Sequence, residues 1–63
     1  MNPLRWFSFS QISEAEIRSE IWRLGGRHQG EPLTGAIEEL KAPGITRQRS
    51  DLLRAVVDHL RAA

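Results

Sequence analysis

Thr46, Arg47, Gln48 and Arg49 are the residues of this 63-residue chain best suited to touching a charged partner. Arginine carries a rigid fork of donors that fits a phosphate or the edge of guanine, and glutamine can bond adenine through both ends of its amide. The residues before them prepare a helix start. Pro43 has no backbone donor and disfavours helical geometry in the residue it follows. Gly44 tolerates the positive φ of a helix exit. Thr46 then caps a new helix, its hydroxyl accepting from the free amides of the first turn. Arg47, Gln48 and Arg49 occupy that turn, so they project from its positive end.

Farther along the same helix, Arg47, Arg54 and Arg61 share a stripe opposite Leu53 and Leu60. Asp51 and Asp58 share it too, each four residues after one arginine and three before the next. The expectation is a solvated face in which these acids pair with the arginines and offset them. Gly44-Ile45-Thr46 resembles the Gly–apolar–Ser/Thr turn of helix-turn-helix proteins, a resemblance of roughly twenty residues that implies a recognition helix beginning at Thr46. Pro43 and Ser50 depart from that pattern. Arg49-Ser50-Asp51-Leu52-Leu53-Arg54-Ala55-Val56-Val57 resembles the second helix of ribbon-helix-helix repressors, which are dimers that read DNA with an N-terminal strand. An extra helix between the N-terminal arm and this one breaks that spacing. A DNA reading requires Arg5, Arg27, Arg47 and Arg49 to meet on one face free of acids.

Aromatic residues offer the competing chemistry. Trp6, Phe7 and Phe9 lie in an N-terminal stretch read as an extended arm or short strand. Trp22 falls more than about 90° from its helix's apolar stripe. The expectation is that the arm covers it in a second small core, with Arg18 able to stack on its face. Left uncovered, Trp22 is a centre for a partner contact. Leu52, Ala55 and His59 flank the apolar face of the last helix and form a candidate self-association surface.

Catalysis finds little support. The chain has no cysteine, so thiol nucleophiles, disulfides and thiolate zinc sites are excluded. His28 and His59 are too few for a typical metal site. Glu14, Glu16, Glu20, Glu38 and Glu39 read as helix-surface charges. Three short helices rarely enclose the ~300 Å³ that a substrate pocket takes. No catalytic residue, metal, cofactor or small-molecule ligand is expected. Gly25 to Gly30 lacks the Lys-Ser/Thr tail of a phosphate-binding loop and reads as a helix end followed by a hinge.

The elements that must position these residues follow from spacing and caps. Ser13 and Glu16 make a capping box, with Ile12 and Ile17 placed as a hydrophobic staple. Ile17, Ile21 and Leu24 form the first stripe, and Gly25-Gly26 is expected to end that helix. Pro32 suits the first turn of a second helix with the stripe Leu33, Ala36, Ile37 and Leu40. The third helix buries Leu53, Val56, Val57 and Leu60. The fold class is therefore all-α: a single domain spanning residues 1–63, either a small three-helix bundle or an open helical array, with an extended aromatic N-terminal arm at 1–11 and helices at about 13–24, 32–41 and 46–61.

Nine basic residues, eight of them arginine, against eight acidic ones leave a net charge of +1, lower than dedicated nucleic-acid binders carry. No apolar run is long enough to span a membrane. The first residues lack the apolar core of a secretory signal, so a cytoplasmic location is the expectation. A chain this short buries only about 60% of its unfolded surface, and without disulfides association with a second subunit is the expected reinforcement. Together these features favour a small non-enzymatic interaction module that self-associates or binds another protein. A small DNA-binding regulator using Thr46, Arg47, Gln48 and Arg49 is the alternative.

Overall fold

A computed structural model describes residues 12–62. The expected arm, with Trp6, Phe7 and Phe9, lies outside the described residues. The rest is all-α, a small bundle of three helices: α1 (Glu14–Arg27), α2 (Pro32–Leu40) and α3 (Arg47–Ala62), each packed against the other two.

The helix starts follow the local chemistry. Ser13 Oγ accepts from the Glu16 amide at 3.1 Å, and Glu16 Oε1 accepts from the Ser13 amide at 3.2 Å, closing the capping box. Pro32 opens α2, where its missing N–H costs no bond. Thr46 Oγ1 accepts from the Arg49 amide at 3.1 Å at the start of α3. Gly44, at φ +79°, makes the turn between α2 and α3.

The three apolar stripes meet in one core. Leu24, Ala36, Leu53, Val56 and Val57 are buried at its centre, and Ile17, Ile21, Leu33, Ile37, Leu40 and Leu60 pack around them. Ile45, from the turn, joins that rim.

The end of α1 differs from the sequence expectation. Gly25-Gly26 does not stop the helix, which continues to Arg27 with His28 as its cap. A glycine inside a helix costs about 1 kcal/mol relative to alanine, which weakens a helix without ending it. The left-handed residues that end this helix come later, at Gln29 (φ 57°) and Gly30 (φ 83°). The Gly30 amide then bonds back to the Gly25 carbonyl at 2.7 Å. The expected hinge at 25–30 thus shrinks to a tight turn after Arg27.

Gly35 is buried where α2 passes the His28 ring, and a Cβ there would overlap the imidazole. Gly25 and Gly26 have nothing within 4 Å of a built Cβ. Gly35→Ala is therefore expected to lower stability by about 1–2 kcal/mol net, overpacking outweighing its gain in helix propensity. Gly25→Ala and Gly26→Ala should each raise it by up to about 1 kcal/mol. Urea denaturation followed by circular dichroism checks all three.

Candidate functional site

The most concentrated chemistry in the described residues is a ring of charges joining all three helices. Glu20 belongs to α1 and lies on its apolar stripe, three residues after Ile17 and four before Leu24, so folding buries it to 1% exposure. Arg49 lies on the apolar side of α3, four residues before Leu53. Packing α1 against α3 brings the two together, with Arg49 Nη2 donating to Glu20 Oε2 at 2.6 Å. The same nitrogen donates to Glu39 Oε1 of α2 at 2.9 Å. Glu39 grips Arg27 through a two-pronged contact, accepting from Nε at 3.1 Å and Nη2 at 3.2 Å. Arg27 Nη2 also donates to Glu20 Oε2 at 3.2 Å, which closes the ring.

Two carboxylates and two guanidinium groups alternate around this circuit, so its formal charges cancel. His28 joins from outside, its Nε2 lying 2.8 Å from Glu39 Oε2. A carboxylate can only accept, so the imidazole presents its Nε2–H there. Arg23 completes the shell around Glu20 at 3.8 Å. Every buried side-chain polar atom among the described residues has a partner.

The electrostatics follow from these contacts. The Arg49 hydrogen bond, helped by Arg27, holds the Glu20 carboxyl below the usual carboxylate range against the opposing effect of burial. Glu39 is held at about 2, chiefly by the His28 hydrogen bond and then by Arg49 and Arg27. Arg27 and Arg49 hold their protons more tightly than free arginine does, through Glu39 and Glu20 respectively.

The ring overturns two sequence expectations. Glu20 is not a helix-surface charge but a buried anion, and Glu39, half-buried, shares its arginines. Arg27 and Arg49 do converge, yet onto two acids rather than an acid-free face. Arg5 lies outside the described residues. Arg47 and Gln48 are exposed. No ion pair within 4.0 Å joins Arg47, Asp51, Arg54, Asp58 or Arg61 among the described residues, so the expected pairing along that stripe is absent.

Trp22 stands apart from all of this, 82% exposed on the outer face of α1. The arm expected to cover it lies outside the described residues. Arg18 pairs with Glu14 at 3.6 Å. Leu52, Ala55 and His59 are half-buried and lie outside the core cluster. Leu52 and Ile12 line an open groove of about 640 Å³ between the starts of α1 and α3, with Glu16, Arg47, Gln48 and Asp51 on its walls. Its hydroxyl, on Thr46, is engaged in capping α3, and neither His28 nor His59 lines it. No helix among the described residues is long and apolar enough to cross a membrane. Comparison with known proteins finds no matching family, no similar curated protein and no similar solved structure.

Two outcomes test the ring. Arg49→Met leaves Glu20 buried beside the weaker contacts from Arg27 and Arg23, and is expected to cost about 3 kcal/mol in urea denaturation. Glu20→Met/Arg49→Met, which keeps the Arg27–Glu39 fork, should recover much of that loss. Both acids have folded pKa values below their unfolded values, so their contribution is present above about pH 5 and is lost as pH falls, for Glu39 through about 2. Thermal melts across that window should show a falling midpoint, with a shallower slope in Glu39→Gln.

Proposed function

We propose that this chain is a small non-enzymatic module whose work is to bind protein. Trp22 carries that reading. A tryptophan presents one of the largest apolar surfaces of any side chain, and this one is 82% exposed on a helix whose opposite side fills the core. Such residues anchor protein contacts when a partner closes over them. Half-buried Leu52, Ala55 and His59 on α3 offer a second, flatter contact surface.

The DNA alternative is less favoured by charge. Arg49 and Arg27 face carboxylates at 2.6–3.2 Å, which leaves Arg47 and Gln48 as the exposed members of the basic turn. Phosphate contacts by several free cations supply most of the affinity in such complexes. A catalytic reading finds no nucleophile paired with a base among the described residues.

Capture from a lysate of the source cells tests the binding role. The native chain used as bait should retain at least one species, its own chain or another, that the Trp22→Ala bait loses. Identical sets on both baits would overturn the reading.

A further inference from the structure

We infer that the partner of the Trp22 face is a second copy of this chain, packed antiparallel along α1 with the two helices crossing at Ser19; this rests on the reading of Trp22 as a contact residue. Ala15, Ser19, Trp22 and Gly26 follow one another at spacings of four, three and four, which is the seam along which one helix packs on another. All but Trp22 are small, so a second helix can approach closely. Ala15, Ser19, Trp22 and Gly26 are all exposed.

Charge selects the occupant and its direction. Glu14 and Arg18 border the seam on one side and already pair with each other at 3.6 Å. Glu16 and Arg23 border it on the other. The Glu16–Arg23 side is complementary to the same side of a second copy turned end for end, and the Arg18 residues that then meet near the crossing each keep their own Glu14 as partner. A parallel pair would set the Glu16–Arg23 side of one copy against the Glu14–Arg18 side of the other, bringing the acids Glu14 and Glu16 together. The antiparallel pair places Arg23 of each copy beside Glu16 of the other. Both groups have capacity for this: Glu16 uses Oε1 for the capping box, and Arg23 reaches Glu20 only at 3.8 Å. With 1.5 Å of rise per residue, Trp22 and Ala15 lie about 5 Å on either side of Ser19, so each tryptophan covers the alanine of the other copy. A single helix pair is a small interface, and the dimer it forms is concentration-dependent.

Ser19 faces its own counterpart at the crossing, which permits a decisive experiment. Native chain, Ser19→Glu, Ser19→Arg, their equimolar mixture and Trp22→Ala are compared by sedimentation equilibrium over a wide concentration range. Circular dichroism verifies that each variant keeps its helices. The native chain should dimerise reversibly. Ser19→Glu and Ser19→Arg should each dimerise at least about tenfold more weakly, because like charges meet at the crossing. Their mixture should regain a heterodimer, and Trp22→Ala should be monomeric. A native chain that stays monomeric throughout, single variants that dimerise as the native chain does, or a mixture that fails to recover would each overturn the pairing. Trp22-dependent capture of a foreign protein by a strictly monomeric chain overturns this pairing alone. Capture indifferent to Trp22 overturns the interaction reading itself.

Discussion

Glu20 must be paid for, and most of the architecture is arranged around that requirement. A carboxylate at 1% exposure loses nearly all of its water. Removing an ion from water costs several kcal/mol unless close opposite charge and hydrogen bonds replace the lost hydration. Arg49 from α3 and Arg27 from the last turn of α1 supply them, and Glu39 from α2 holds those two arginines in place. The constraint is mutual, because each charge is tolerable only while the others stay in position. Apolar residues make the three helices cohere; the ring prescribes how they are placed.

That division of labour explains why the polar interior does not conflict with the small size of the domain. Among the described residues, the core centred on Leu24, Ala36, Leu53, Val56 and Val57 is wholly aliphatic. Apolar contacts of this kind are non-directional and permit several helix arrangements of similar energy. Hydrogen bonds between guanidinium and carboxylate groups are directional. A helix rotated or slid by one residue keeps much of its apolar contact and loses the alignment of Arg49 between two acids. His28, wedged against Gly35, adds a steric key to the same corner.

The legible parts of the sequence were those governed by local rules. Capping residues, Pro32 and the three apolar stripes depend on neighbours three or four positions apart, and they lead directly to the helices and the core. The end of α1 was misread because paired glycines weaken a helix without supplying a stop, while contacts from Glu20 and Glu39 hold the extra turn through Arg27. The ring itself joins positions up to 29 residues apart, beyond the reach of any periodicity within one helix. One clue was present. Glu20 and Arg49 each occupy an apolar stripe, on different helices and with opposite charge, and two such misfits are best accommodated against each other. The reading of Trp22 rested on an arm that lies outside the described residues, so periodicity within α1 could place it off the apolar stripe and no more.

Gly25 and Gly26 have a consequence for how the domain comes apart. They make the stretch just before Arg27 the intrinsically weakest part of α1. Fraying from a helix end is ordinarily a local event with little effect elsewhere. Here the fraying turn carries the guanidinium that closes the ring, so releasing it withdraws a counter-charge from buried Glu20 and from Glu39 together. The soft end of one helix is thereby coupled to the seating of the other two, through the acids that Arg27 shares with Arg49.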